Sequence, residues 1–342
     1  MVTVGLSSRQ SSAVTLGRPH ILGSRMIIGI DLGGSHIKAA VVSRTGEILH
    51  HLSEPTHVEQ GYQSVLEALR RIINTLRIDF PDASAVGIGV PGVVTDKGVV
   101  RVAPNFPDWK DIPVRSYLQQ YCPLPIALDN DANVAALAEA EVGAGAQVSD
   151  FLFITLGTGV GGCIISDGAI FRGERGGAGE IGHVIIHETA HAPDGKPSYR
   201  AGALEEYAGR LGIIELAKEY ALQYPHSMLH SVEELDVHHI SDAVEKGDEA
   251  AIACFRRTGQ LLGTALTSAM NLLDVRIVIV GGGISQAHPL LLQSTLDTIR
   301  LRALPTIAEE AEIRLAHFSH TAGVIGAAML AKKIPDNPAN II

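Results

Sequence analysis

The sequence is poor in aromatic residues and in positive charge. Phe, Trp and Tyr make up 4% of the 342 residues, and 27 Lys and Arg stand against 37 Asp and Glu, which gives a formal net charge of -10. Binding to nucleic-acid phosphates needs clustered Lys and Arg, and no such block occurs. The sequence therefore predicts small molecules as partners and no nucleic acid.

Cysteines and long apolar runs are also scarce. Cys122, Cys163 and Cys254 lie far apart, which excludes a C-x-x-C zinc pair and does not suit a disulfide framework. We expect buried thiols and a cytoplasmic location. No run of about 18 purely apolar residues occurs, so we predict no transmembrane helix and no membrane partner.

Small and aliphatic residues are abundant, because 46% of the chain is hydrophobic and 36 residues are glycine. With 342 residues, the chain exceeds the size at which one hydrophobic core stops growing, which predicts two α/β domains of roughly 150 residues each. Residues 1–25 hold five serines, three arginines and no acid, which is superficially typical of an organellar transit segment. We interpret them as a disordered or extended tail, with Met26 as an alternative start.

Hydrophobic periodicity divides the chain into two halves of similar order, a weak repeat of architecture rather than of sequence. Each half opens with strands around a glycine turn and continues with helices, which predicts a cleft between the halves. The predicted strands are 26–31, 37–42, 47–52, 85–90, 124–128, 151–156, 160–165, 169–171 and 276–280. The predicted helices are 65–76, 131–142, 204–220, 250–273, 289–301 and 322–332.

Three glycine-rich turns follow predicted strands. Asp31-Leu32-Gly33-Gly34-Ser35 places backbone N–H groups and a hydroxyl beside a carboxylate, which suits a phosphate chain with its metal ion. Thr155 to Gly162 forms a second cradle, and Gly281-Gly282-Gly283 ends a strand where the backbone can lie against a planar ring. Each turn alone is also consistent with an ordinary hairpin or packing turn, because glycine adopts positive φ readily. Two cradles on separate halves favour the binding interpretation.

Between the cradles lies Leu128-Asp129-Asn130-Asp131-Ala132-Asn133, at a predicted strand-to-helix junction. Helix capping explains any one of these polar residues, since helix N-termini favour carboxylates and amides. Asp129, Asn130, Asp131 and Asn133 together exceed what a cap needs. We therefore treat this segment as a candidate for catalysis or binding.

Six motifs, in this order, resemble those of the ROK family of sugar kinases and sugar-responsive repressors. They are Asp31 to Lys38, Ala103 to Trp109, Asn130 to Asn133, Leu156 to Gly162, Gly179 to His183 and Gly281 to Gly283. The resemblance covers the chain from about residue 26 and implies an actin-like (ribonuclease H-like) ATPase fold, with two α/β domains around a central cleft. It also implies ATP and Mg²⁺ as cofactors and a homodimer. The implied domains are a smaller one of residues 26–130 plus the C-terminal helix 321–342, and a larger one of residues 131–320.

The family's functional residues carry over position by position. Asp131 matches the catalytic base, and Ser35 replaces the commoner threonine while keeping the hydroxyl. The residues that match the sugar site are Gly92, Asn105, Asn130, Glu180, His183 and Glu205. The residues that match the ATP site are Asp31, Gly33, Gly34, Ser35, Lys38, Gly157, Thr158, Gly159, Gly281, Gly282 and Gly283. The resemblance also implies that Asp31 lies near Mg²⁺ and contacts it through water.

The segment from His187 to His191 fits H-E-x-x-H, the pattern of zinc peptidases. β-branched residues before it and Pro193-Asp194-Gly195 after it leave too little room for a helix, so we reject the peptidase hypothesis. Many ROK relatives carry a structural zinc here, held by His183 and three cysteines. We predict no structural zinc, because thiolates cannot be replaced by the residues at those positions, Lys196, Ser198 and Ala203. Whether His187 or His191 binds another metal stays open.

The family contains both repressors and kinases. Its repressors carry a winged-helix domain before the first strand, and we expect residues 1–25 to be too few to build one. The intact Asp131 also favours a kinase. The segment Ala103 to Trp109 is most similar to glucokinases, which implies glucose phosphorylated at O6. N-acetylmannosamine or another hexose derivative is the alternative, because the polar residues around Glu180 and His183 serve several sugars.

Overall fold

The computed structural model describes residues 26–103, 106, 108–188 and 198–334. In the first half, an amphipathic helix covers the sheet, and its buried side chains recur every three or four residues from Val65 to Leu76. The elements of this half are β1 (Met26–Leu32), β2 (His36–Val42), β3 (Ile48–Pro55), α1 (Tyr62–Asp79), β4 (Ala83–Val90), β5 (Val93–Val94), β6 (Val100–Val102), β7 (Lys110–Ile112), α2 (Val114–Gln119), β8 (Ile126–Asn130) and α3 (Asp131–Val142).

The second half again begins with a strand hairpin and then becomes mainly helical. A long helix of 25 residues buries one apolar side against the sheet and its neighbours. The elements are β9 (Phe151–Leu156), β10 (Val160–Ser166), β11 (Ala169–Ile170), α4 (Glu205–Ala208), α5 (Arg210–Gln223), α6 (Val237–Glu245), α7 (Glu249–Leu273), β12 (Ile277–Gly281), α8 (Pro289–Arg302), α9 (Pro305–Ala308), β13 (Glu312–Leu315) and α10 (Ala322–Lys332).

Two five-stranded sheets share one topology. The first has the order β3-β2-β1-β4-β8, and the second has the order β11-β10-β9-β12-β13. In each, three strands form an antiparallel meander, and the two remaining strands run parallel to the first strand of the meander. This doubling confirms the repeat of architecture and the actin-like ATPase fold that the sequence indicated.

The parallel strands explain why the polar residues meet. Because β1, β4 and β8 are parallel, their carboxyl ends lie at one edge, and Asp31 pairs with Gly89 there as Val90 pairs with Asn130. In the second sheet, Gly281 pairs with Thr155 at the corresponding edge. Ligands of open α/β sheets bind beyond such carboxyl ends.

Helix α3 lies between the two sheets, and α10 packs beside it on the first sheet. One side of α3 packs with α10 on the first sheet, and its other side packs on β9 and β10. Glycines allow α10 to approach closely: a Cβ on Gly87 of β4 would lie 1.7 Å from the carbonyl oxygen of Ala327. A Cβ on Gly326 would lie 1.6 Å from the oxygen of Val134 in α3. The contact between these elements therefore requires glycine.

Several predicted boundaries are confirmed without change, including the helix Asp131–Val142 and the strand Phe151–Leu156. The single helix predicted over 204–220 is wrong, because Gly209 is extended and separates α4 from α5. The small sheet β5-β6-β7 was not predicted. The last helix ends at Lys332, and residues 335–342 lie outside the described residues.

Candidate active site between the two sheets

A cavity of about 290 Å³ opens between the sheets. Its walls come from both halves of the chain, as the repeated glycine turns predicted. The predicted site residues among its lining are Asp31, Lys38, Asp131, Gly281, Gly282 and Gly283, which Thr155, Phe318, Ser319, His320 and Gly323 join. Thr158 lies instead on a second cavity of about 730 Å³, together with His187, Arg200 and Glu205.

The first glycine turn joins β1 to β2 beside this cleft. Asp31 pairs with Lys38 across the hairpin, and the N–H of Gly33 donates to the carbonyl of His36 at 3.0 Å. Thr56, which was not predicted from the sequence, stabilises this turn through two hydrogen bonds. The buried Thr56 donates its hydroxyl to the carbonyl of Gly33 at 2.6 Å and its N–H to the carbonyl of Ser35 at 2.9 Å.

Burial raises the pKa of the Asp31 carboxyl, and the nearby ammonium of Lys38 lowers it. The carboxyl side chain also lies against the start of α10, where a Cβ on Gly323 would be 2.7 Å from Asp31 Oδ2. With Asp131, Asp31 supplies carboxylate oxygens on the cleft, the ligand type that Mg²⁺ prefers. Protein sites for this ion use one or two carboxylates with phosphates and water, so the residues fit the expected metal.

Asp131 is held at the junction of β8 and α3. Its neighbour Asn130 is extended and caps the helix, because its Oδ1 accepts from the N–H of Ala132 at 2.8 Å and of Asn133 at 3.2 Å. The Asn130 amide also donates to the carbonyl of Gly92 at 3.0 Å. The cap predicted from the sequence therefore serves to fix Asp131 at the first position of the helix.

The Asp131 carboxyl is suited to accept a proton near neutral pH. The Asp131 side chain is accessible to solvent through the cleft, and protein atoms that line the cleft surround it on its other sides. Burial raises its pKa from 3.8 to about 6, the charges of Asp31 and Glu180 add to that effect, and the backbone N–H of Ala132 opposes it.

A part-buried ion pair links the second half of the chain to this junction. Asp129, 4% exposed, accepts from the guanidinium of Arg172, from the Asn133 amide at 2.9 Å and from the N–H of Asn130 at 2.8 Å. Arg172 follows β11 and begins the loop that leads to Glu180. Arg172 could not be predicted from the sequence, because no local pattern marks its partner 43 residues away.

The predicted sugar residues in the described part of the chain come from several segments, and Glu180 is close enough to Asp131 for its charge to raise the pKa of that carboxyl. Gly92 has φ 93°, and a Cβ there would lie 1.9 Å from the carbonyl oxygen of Val102, so the approach of β6 requires glycine. The pKa of the Glu180 carboxyl is raised by burial and by Glu205 and is lowered by His183. The His183 ring lies 5.9 Å from that of Tyr199. Asn105 lies outside the described residues.

Glu205 contacts the second glycine turn. Its Oε2 accepts from the N–H of Val160 at 3.0 Å, and a Cβ on Gly159 would lie 2.1 Å from that oxygen. Arg200 forms ion pairs with Glu205 and, at 3.0 Å, with Glu206. The break between α4 and α5 at Gly209 also contacts this turn. There the N–H of Arg210 donates to the carbonyl of Gly157 at 3.0 Å.

The third glycine turn lies beside the end of β9. Gly282 has φ 83°, and a Cβ there would lie 2.2 Å from the carbonyl oxygen of Leu156. The buried Ser285 donates its hydroxyl to the carbonyl of Gly282 at 2.7 Å. The second and third turns are therefore neighbours, as a nucleotide that contacts both would require.

The H-E-x-x-H pattern is not helical where the structure describes it. Ile185 forms a β-bridge with the buried Ala203, and the His187 ring stacks 6.1 Å from that of Tyr207. His191 and Lys196 lie outside the described residues, as does the side chain of Ser198. Within the described part of the chain, no three His, Cys, Asp or Glu side chains are grouped to hold a metal ion. The absence of structural zinc stays a prediction.

Within the described residues, no helix is both long and apolar enough to cross a membrane.

The sequence model of the ROK family matches residues 27–334 of this chain. The glucokinase of Halalkalibacterium halodurans is 34% identical over 323 residues, which cover 91% of this chain and 96% of that protein. The N-acetylmannosamine kinase of Escherichia fergusonii is 30% identical over 308 residues, which cover 89% and 98%.

Solved structures show the same likeness. The crystal structure of a ROK family glucokinase from Streptomyces griseus, in complex with glucose and AMPPNP, superposes with a TM-score of 0.71 at 33% identity. The alignment covers 90% of this chain and all of that one, 100%. By its sequence, its doubled sheets and its cleft, this chain belongs to the ROK family.

Proposed function

We propose that this protein transfers the γ-phosphoryl group of ATP to a hexose, and that the hexose is glucose, phosphorylated at O6. The protein is a sugar kinase, as its kinase relatives of similar length indicate. The mechanism depends on the Asp131 carboxyl. It lies at the start of α3 on the cleft, with a pKa of about 6, in the same cavity as Lys38 and the third glycine turn.

In this mechanism Asp131 acts as the general base. As the sugar oxygen forms its bond to the γ-phosphorus, the hydroxyl proton passes to Asp131. The bond between the γ-phosphorus and the bridging oxygen breaks, and ADP leaves with that electron pair. Phosphoryl transfer needs mainly positioning and charge neutralisation, so one well-placed carboxylate is enough to orient the nucleophile.

The nucleotide would lie along the glycine turns. Backbone N–H groups in the three turns and the ammonium of Lys38 suit phosphate oxygens, and the third turn suits the adenosine. Asp31 would hold Mg²⁺ through water, and the ion would neutralise phosphate charge. The proposed nucleotide residues are Gly33, Gly34, Ser35, Lys38, Gly157, Thr158, Gly159, Gly281, Gly282 and Gly283.

The sugar would be held by fixed polar groups on the other loops. The Oδ1 of Asn130 accepts the hydrogen bond of the helix cap, and its NH₂ group donates to the carbonyl of Gly92. Both residues are therefore fixed next to Asp131. Glu180, His183 and Glu205 are proposed to bind hydroxyls, with Asn105 as a further contact. Polar groups fixed in this way discriminate between sugars because the wrong sugar leaves them unpaired.

The experiment is a coupled assay of ADP release with a panel of sugars: glucose, mannose, fructose, allose, N-acetylmannosamine and N-acetylglucosamine. We expect glucose to give the highest kcat/KM, and ³¹P NMR of the product to show the phosphate on O6. A higher kcat/KM for N-acetylmannosamine would favour the second candidate, which the 30% identical relative supports. ADP release that no sugar stimulates would refute the kinase assignment.

A further inference from the structure

A carboxylate that the proposed mechanism does not use is buried at the far end of α3. Glu139 is 0% exposed. Its Oε2 accepts from the N–H of Ala144 at 2.8 Å and of His317 at 3.0 Å, and its Oε1 accepts from the N–H of Phe318 at 2.8 Å. Among the ion pairs of the described residues, none includes Glu139. Backbone N–H groups alone therefore satisfy this charge.

This position is unfavourable for a carboxylate in two ways. Burial removes its hydration, and the last turn of a helix carries the negative end of the helix dipole. The fit is also tight, since a Cβ on Gly143 would lie 2.3 Å from Glu139 Oε2. A buried polar group whose hydrogen bonds are all satisfied makes the segment that it binds more rigid.

The segment that Glu139 fixes forms one wall of the cleft. It begins after β13, where the N–H of Ala316 donates to the carbonyl of Val280 at 2.9 Å. Glu139 then binds the next two N–H groups, and Phe318, Ser319 and His320 line the cavity beyond them.

The same segment ends at α10, whose Gly323 contacts Asp31. We call Phe318, Ser319 and His320 the 318–320 wall. It shares the cavity with Lys38 and the third glycine turn.

We propose that Glu139 is a positioning residue for nucleotide binding, acting through the 318–320 wall. The inference rests on the proposed function, which places the phosphates and the adenosine at Lys38 and Gly281 to Gly283. A nucleotide there lies in the same cavity as the 318–320 wall, with His320 as a polar contact. Glu139 itself touches no substrate, because three backbone N–H groups surround its carboxylate.

The test is Glu139→Gln, which keeps the volume of the side chain. Whichever way the new amide lies, its NH₂ group faces at least one backbone N–H, since the three donors are divided between both oxygens. We expect the KM for ATP and the Kd for AMPPNP to rise about tenfold, and the Kd for glucose to stay within about twofold.

The matched control is Glu141→Gln, on the same helix. Glu141 is part-exposed and pairs with Lys332 at 3.2 Å and with Lys333 at 3.1 Å, away from the 318–320 wall. We expect wild-type constants for both ligands. A Glu139→Gln variant with wild-type nucleotide affinity, or with equal losses for nucleotide and sugar, would overturn the inference.

A second variant, His320→Ala, decides the matter if Glu139→Gln does not fold. It alters the exposed tip of the 318–320 wall and leaves the buried carboxylate in place. A several-fold rise in the Kd for AMPPNP supports the inference, and an unchanged value overturns it. Because the Kd for AMPPNP is measured without turnover, wild-type protein that binds AMPPNP but phosphorylates no sugar would refute the proposed function alone.

Discussion

At the scale of single residues, sequence patterns identified the groups that lie at the ends of strands. Asp31, Asp131 and Gly281 each follow or end a buried strand, and parallel pairing brings them to one cleft. Residues whose partners are distant in the chain could not be found this way. The contacts of Thr56, Arg172 and Glu139 span 23, 43 and 178 residues, and only the folded chain reveals them.

The raised pKa of Asp131 predicts a pH dependence of catalysis. Its pKa of about 6 exceeds the ordinary 3.8, so the base is ionised above about pH 6 and is protonated below it. We expect kcat/KM for the sugar to fall about tenfold per pH unit below that value, because a protonated carboxyl cannot accept the hydroxyl proton. The measurement is kcat/KM from pH 5 to pH 8 at saturating ATP.

The control for this profile is the residual activity of Asp131→Asn, which should lack the acid limb. An acid limb that persists unchanged in the variant belongs to another group, such as Glu180 or the nucleotide phosphate. That result would contradict the role of Asp131 in setting the pH profile.

At the level of helices and strands, bounds were predicted best where the hydrophobic period is strong and where the residues that begin and end the element are its neighbours in sequence. The helix 131–142 begins at an Asn cap and ends at Gly143, and its bounds are confirmed. The strands β5, β6 and β7 have two or three residues each, too few for a period, and were not predicted. The break at Gly209 depends on the distant carbonyl of Gly157, so the sequence alone indicated one continuous helix.

The close approach of α10 to the first sheet predicts the effect of Gly87→Ala. The added methyl would lie 1.7 Å from the oxygen and 2.5 Å from the carbonyl carbon of Ala327, both backbone atoms that cannot rotate away. We expect the free energy of unfolding to fall by at least about 1–3 kcal/mol, the usual cost of overpacking. Urea denaturation monitored by circular dichroism measures this change.

Gly177→Ala is the matched control for that experiment, because no heavy atom lies within 4 Å of its added methyl. We expect its stability to stay within about 0.5 kcal/mol of the wild type, as for most surface substitutions. Equal stability of the two variants would show that α10 does not approach the sheet as closely as described.

At the scale of the whole molecule, a duplicated sheet places two sets of strand ends across one cleft. The first sheet contributes Asp31 and, after β8, Asp131, and the second contributes Thr155 of β9 and the glycine turn after β12. We propose that the two halves are the domains indicated by the sequence, with α10 returning to the first. A cleft built from both halves has room on each side for one substrate, which would suit the transfer of a group between two of them.

The Asp131→Asn variant tests whether Asp131 is the general base of this sugar kinase. Asparagine keeps the size of the side chain but cannot accept the hydroxyl proton. With glucose and ATP, we expect kcat to fall by about 10²–10⁴-fold while the Kd for glucose, measured by titration calorimetry, stays within a few-fold. Near wild-type turnover by the variant would show that Asp131 is not the base.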